Sequence, residues 1–276
     1  MSTEAEEKEL REHPGDFTRL PDPFTTAVGH FWGIYHTRDY MRARFALAEA
    51  IGRIHNVEAT EAQLEHLMNM LRLCRSDTMG LRSLVPALML RLNKDQERYD
   101  FIKWWAMDRD DYDWEDTDLP YLDIKGADPF ESVDQHVKDF VVLSHTVSLT
   151  LLKIKLLLDL MKIRDSTSTV GPKNTIPQSP LVCENRMIMG GEDQDRLTYI
   201  ERLKGQIDQL YEKTDSANSY FWPHLLNPGH HLNDKSSAYS MGSMEEMTLA
   251  LQWTYAAWTE TPGAIDFIKA KRAGSI

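Results

Sequence analysis

Cysteine is almost missing from this chain. Only Cys74 and Cys183 occur in 276 residues, and they form no CxxC pair. Neither a disulfide framework nor a cysteine-rich zinc site can be assembled from them. Long apolar runs are missing too. No stretch approaches the ~18 uninterrupted apolar residues of a membrane span, and the opening MSTEAEEKELREHPGDF is acidic, without an apolar signal region. The expectation is a soluble, cytoplasmic protein, with the nucleus left open, that makes no membrane contact. Positive charge is in short supply: 31 basic residues face 43 acidic ones, for a net charge of −12. That balance removes the attraction that dominates non-specific nucleic-acid binding, so no nucleic-acid partner is expected. GxSxG and HExxH are absent, and Gly190–Gly191 is followed by no GK[ST], which leaves the common hydrolase, zinc-protease and phosphate-loop chemistries without a motif. No strand alternation is evident.

What is present is helical periodicity. After an irregular, acidic lead-in at 1–23, marked by Pro14, Pro21 and Pro23, the pattern predicts one all-α domain over 24–276. In TRDYMRARFALAEAIGRIHN the apolar positions Tyr40, Ala43, Leu47, Ala50, Ile51 and Ile54 recur at three- and four-residue steps, with Thr37 as N-cap. In TEAQLEHLMNMLRLC the stripe is Leu64, Leu67, Met68, Leu71 and Cys74, with Thr60 as cap. A third helix carries Pro86, which should kink or delay it, and a fourth starts at a capping Asp95. A shift of about 38 residues lays Arg44 on Arg82 and Arg53 on Arg91, so residues 37–106 read as two helix pairs, a tetratricopeptide-like unit repeated.

An acidic loop at 107–134 follows. A helix at 145–163 is apolar on most faces and is expected to be buried. Residues 165–191, rich in Ser, Thr, Pro and Gly, read as a flexible insertion. C-terminal helices fill 192–271. One shows the stripe Leu197, Ile200, Leu203, Ile207 and Leu210; another opens on a capping box, Ser243 to Glu246; the last starts at Thr261 with Pro262 at N1.

Two clusters could carry chemistry. The stretch WWAMDRDDYDWEDTDLPYLD holds Asp108, Asp110, Asp111, Asp113, Glu115, Asp116, Asp118 and Asp123. Carboxylates suit hard cations such as Mg²⁺, yet the EF-hand glycine is absent, and the downstream NDKSSAYSM lacks the terminal acid of a terpene-cyclase pair. The preferred reading is a solvated connector pinned by its aromatic residues, with no cofactor required; Asp111, Asp113 and Glu115 are the catalytic candidates if the protein is an enzyme. The second cluster is His224, His230 and His231 in FWPHLLNPGHHLND. Adjacent histidines point apart, so it reads as a turn and no metal site is assigned. Trp104, Trp105, Trp114, Trp222, Trp253 and Tyr255, with His224 and His230, are the candidates for lining a groove, because aromatic rings supply much of the contact energy in such sites.

The strings HPGDF, VGHFWGIYHTRDYMRARFALAEA, LRLCRSDTMGLRSLVPALMLRLNKDQERYDFIKWW, DYDWEDTDLPYLDIKGADPFE, LLKIKLLLDL, FWPHLLNPGHHL and ETPGAIDFI resemble the helical region that follows the zinc finger in filamentous-fungal MYND-finger proteins, over about residues 12–270. The finger's own cysteines and histidine have no counterpart here, so its zinc and docking functions do not carry over. The resemblance implies only the helical module, one normally attached to a protein-interaction finger. The leading expectation is therefore a non-catalytic helical scaffold that takes a peptide or partner protein in a groove, with a small molecule as a lesser option. The alternative is a finger-less paralogue recruited as a fungal biosynthetic enzyme, with a helical pocket and the acidic cluster as its acid/base pair or Mg²⁺ site.

Overall fold

The computed structural model describes residues 2–16, 19, 21–107, 110–138, 141–168, 179–191, 193–235 and 238–275. Among them are α-helices and no strand, apart from one isolated antiparallel bridge between His30 and Cys74. The chain is all-α. In order the helices are α1 (Thr3–Glu12), α2 (Pro23–Thr26), α3 (Arg38–Gly52), α4 (Val57–Leu73), α5 (Val85–Arg91), α6 (Asp95–Ala106), α7 (Leu143–Ser168), α8 (Pro180–Cys183), α9 (Arg186–Gly190), α10 (Asp193–Ala217), α11 (Phe221–Leu226), α12 (Met244–Glu260) and α13 (Ala264–Arg272). No helix is long and apolar enough to cross a membrane. Where the sequence reading groups 24–276 as one domain, the Cα positions group the chain into two compact units, Met1–Leu88 with Asp108–Asp123, and Met89–Met107 with Ile124–Ile276.

In the first unit, part of the lead-in is helical, as α1. Ser2 caps α1 by accepting the Ala5 N–H at 3.3 Å, and Glu7 pairs with Arg11 one turn on at 2.9 Å. Arg11 then lies over the Phe24 ring, 4.2 Å from its centroid. Phe24, Phe31 and Tyr40 form an aromatic knot with centroids 5.0 to 6.0 Å apart. α1 packs on α3, and α3 on α4.

The buried face of α3 is rotated from the expected stripe: Tyr40, Met41 and Ala48 are buried, whereas Leu47 and Ile54 are exposed. The sequence holds apolar residues on both faces, and the position of α1 and α4 decides which face is covered. α4 starts earlier than expected. Asn56 accepts the Ala59 N–H at 2.7 Å, while Thr60 spends its hydroxyl on the Asn56 carbonyl. Thr37 does precede α3, but it donates to the carbonyls of Phe31 and Ile34 rather than capping it. Pro86 falls in the first turn of α5, where its missing N–H costs nothing.

In the second unit, α7 is the centre, packed by α6, α8, α10, α12 and α13. Leu149, Leu152, Ile154, Leu156, Leu157 and Leu160 are all fully buried. α10 presents Ile200, Leu203, Ile207 and Leu210 to it, with Leu197 left exposed beyond the end of the stripe. Of the segment 165–191, α7 takes the start and α8 and α9 take the end; residues 169–178 lie outside the described residues. Two caps differ from expectation. Asp95 is the first helical residue of α6, after Lys94, and pairs with Lys155 at 2.8 Å. Thr261 donates back into α12, to Ala257, and Gly263 at φ +84° occupies the N-cap of α13, a left-handed position that suits glycine.

Candidate functional site

The acidic loop of the first unit folds around a cation. Arg75, just beyond α4, donates to the backbone carbonyls of Asp116 at 2.7 Å, Thr117 at 3.0 Å and Leu119 at 3.2 Å. Its guanidinium also lies over the Tyr121 ring, 5.2 Å from the centroid. Carbonyls rather than carboxylates hold the arginine, so the acidic side chains are left outside. Asp110, Asp111, Asp113, Glu115, Asp116, Asp118 and Asp123 are exposed; Asp108 lies outside the described residues.

Local turns use two of these acids. Asp113 Oδ1 accepts the Glu115 N–H at 3.0 Å, and Asp116 Oδ1 accepts the Asp118 N–H at 2.9 Å, the self-bonding that makes aspartate a turn residue. Tyr112 donates its hydroxyl to the Pro120 carbonyl at 2.7 Å, and its ring meets Trp114 at 4.8 Å. The loop is thereby closed on itself.

Between this loop and the segment after α2 lies a cleft of about 350 Å³. Its walls include Trp32, Tyr112 and Trp114, with His30, Arg38, Asp113 and Glu115 at the polar positions, the buried Cys74, and the exposed Ser76 and Thr78. His30 Nδ1 meets Glu115 Oε1 at 2.7 Å; their side chains are 44% and 65% exposed, so the pair stands at the mouth and water screens it. Gly33 is required here. A Cβ at that position would come 2.1 Å from His30 Nε2, so only glycine lets the imidazole lie flat and reach Glu115. Arg38 donates Nε to the Trp32 carbonyl at 2.9 Å, and Arg38 and Arg42 both lie over the Trp32 ring, at 5.6 and 5.5 Å.

Between the cleft residues Ser76 and Thr78 in the chain, Asp77 is a buried polar side chain. Asp77, at φ +52°, accepts the Leu81 N–H at 2.7 Å and the Arg82 N–H at 3.0 Å. Burial pushes its carboxyl up to about 6, against the pull of Arg82. Burial likewise raises the Tyr121 hydroxyl, with the Asp77 charge adding to it.

The structure thus brings Asp113, Glu115 and Trp114 to one cleft and leaves Asp111 out of its lining. Trp104 and Trp222 are fully buried core residues. Trp104 meets Trp105 edge-on at 4.9 Å, and Trp222 stacks on Tyr211 at 4.8 Å and donates its ring N–H to the Tyr211 carbonyl. Trp105, Trp253 and Tyr255 are half-buried. His224 and His230 belong to another cluster, in the second unit. The cleft residues that sequence reasoning missed are His30, Trp32, Arg38 and Tyr112. A signal existed for two of them: His30 and Trp32 sit between two glycines in VGHFWGIY, a pattern that marks backbone turned tightly around aromatic side chains.

The second unit holds charge of a different kind. Lys153 is fully buried; its ammonium donates to the Pro129 carbonyl at 2.5 Å and to Gln206 Oε1 at 2.7 Å, and burial pulls its pKa down to about 7. A separate buried network joins Lys155, Asp95, Ser179 and Asp159, with Lys155 Nζ 2.8 Å from Asp95, Ser179 Oγ 2.6 Å from Asp95 and Ser179 N 2.7 Å from Asp159. Every one of these groups has a partner, which fits a structural role for charges this deep. No protein-family model, curated protein or solved structure matches the chain.

Proposed function

We propose that the protein is a non-catalytic binding module, and that its first unit takes a peptide segment of a partner protein in the cleft behind the acidic loop. One observation carries this reading: Trp32, Tyr112 and Trp114 line an open cleft whose rim carries exposed carboxylates. Aromatic faces attract cations, and a carboxylate rim adds to that attraction. The occupant implied is a segment that presents a lysine or arginine, since about 350 Å³ takes one or two side chains and lies at the small end of ligand sites. The resemblance to the helical region of MYND-finger proteins, and the packing of α3 on α4 as a helical pair joined by residues 53–56, agree with a tetratricopeptide-like interaction role.

The enzymatic reading has less behind it. Asp111 is outside the lining, Asp113 is tied to its own turn, and Glu115 is paired with His30 at a solvent-exposed mouth. Dividing acid and base roles between carboxylates needs a shielded pocket.

The test is a titration of the intact chain, followed by tryptophan fluorescence and calorimetry, with short peptides centred on Lys or Arg and with the same peptides carrying Glu there. The basic peptides should bind, and Trp114→Ala and Glu115→Gln should each weaken them about tenfold or more, the effect expected of removing a ring contact or a charge partner. Equal binding of basic and acidic peptides, or affinity untouched by Trp114→Ala, would reject the cleft as the site.

A further inference from the structure

The turn after α11 in the second unit brings three ligand-type side chains to one point. His230 Nδ1 lies 2.8 Å from Asp234 Oδ2, and His231 Nδ1 lies 3.3 Å from the same oxygen. The two imidazole centroids are 4.3 Å apart and tilted by 37°. The expected divergence of neighbouring histidines does not occur. His231 opens a 3-10 turn, His231–Asn233, which winds the chain tightly enough to set both rings over Asp234.

We propose that His230, His231 and Asp234 form a binding site for a divalent first-row transition metal ion of the zinc class. Bonds of about 2.0 to 2.2 Å to two nitrogens and a carboxylate oxygen, in a tetrahedron, put ligand atoms ~3.3 Å apart. The distances of 2.8 and 3.3 Å need only small side-chain movements to reach that. Two imidazoles select zinc, copper, nickel or cobalt, whereas Mg²⁺ and Ca²⁺ prefer an all-oxygen shell.

The supports expected around a metal ligand set are present. Gln252 on α12 donates to the carbonyls of His231 at 2.6 Å and Asp234 at 2.9 Å, fixing both ends of the turn. Thr248, one turn earlier on α12, has its hydroxyl 3.1 Å from His231 Nδ1, a hydrogen bond that an ion on that nitrogen displaces. His224 packs edge-on against His231 at 4.7 Å. Its Nδ1 faces the Tyr220 carbonyl at 2.8 Å; a carbonyl only accepts, so Nδ1 carries the proton and Nε2 keeps the lone pair in the neutral ring. His230 and Asp234 are 77% and 39% exposed at the side chain, so an ion enters from solvent and keeps an open coordination position.

The experiment uses the full chain without an affinity tag, stripped with a chelator and titrated with Zn²⁺ by calorimetry and with Co²⁺ by visible absorption. One equivalent should bind, with ligand-field bands for Co²⁺ and a raised Tm, and a large excess of Mg²⁺ should not displace it. His230→Ala and Asp234→Asn should each weaken binding about tenfold or more, and His55→Ala, in a separate turn, should leave it unchanged. His230 is exposed, so circular dichroism of metal-free His230→Ala should match the parent, which separates lost binding from lost folding. Binding that His230→Ala leaves intact, or that His55→Ala weakens equally, would overturn the site, as would the absence of a one-equivalent step.

Discussion

Asp77 shows how a single buried side chain sets a pH dependence. Its carboxyl is pushed from 3.8 up to about 6 by burial, while two backbone N–H groups hold it in place. The folded protein therefore binds this proton more tightly than the unfolded chain does. The stabilisation is complete below the unfolded value near 3.8 and is lost as the pH rises through about 6. A shift of this size corresponds to on the order of 3 kcal/mol. Asp77→Asn keeps the left-handed backbone, which asparagine tolerates, and adds a constant cost from its amide beside the Arg82 N–H. The diagnostic is the slope. The Tm of the variant relative to the parent should rise between about pH 4 and pH 7, and a difference that does not move with pH would show that Asp77 titrates normally. Arg75 illustrates the converse, a charge whose value lies in geometry: by taking three carbonyls it turns a run of acids outward without pairing any of them.

At the scale of the element, the helices divide by how their ends and faces are fixed. α12 opens with half of the expected capping box. Ser243 Oγ accepts the Glu246 N–H at 3.2 Å, but the Glu246 carboxylate returns to the Gly242 N–H at 2.7 Å and takes Asn218 Nδ2 at 3.1 Å. The motif was legible in the sequence, and its third partner was not, because Asn218 arrives from the end of α10. α7 is the element on which the second unit depends. Leu151 is 1% exposed among residues buried on every side, so Leu151→Asp places an unpaired carboxylate in an apolar interior, at a cost of several kcal/mol. Circular dichroism should show loss of the cooperative melting transition, and a native-like transition would contradict the buried position of α7. The polar residues of the same helix, Lys153, Lys155 and Asp159, are also buried, and each depends on partners from other elements that no helical pattern displays.

For the whole molecule the dominant quantity is charge. A net charge of −12, with exposed acids beside the cleft, is what would steer the proposed basic segment toward it. The association rate of a Lys-centred peptide should fall steeply between low salt and ~0.5 M, where the Debye length shrinks to a few ångströms. Its dissociation rate should change little, because that reflects the aromatic contacts, and a salt-independent association rate would remove charge steering from the account. The sequence by itself determined what depends on local periodicity and composition: an all-α chain, the buried helix α7, the stripes of α4 and α10, the scarcity of cysteine chemistry and the acidic character. Only the tertiary structure decided which face of α3 is covered, that Trp104 and Trp222 are core while Trp114 lines a cleft with His30 and Trp32, and that His230, His231 and Asp234 meet. Periodicity reports that a residue repeats on a face. Whether that face meets a neighbour, and which distant side chains share a space of a few ångströms, follows from how loops such as 110–123 and 227–235 return across the helices, and the carbonyls and hydroxyls that hold them there carry no pattern along the chain.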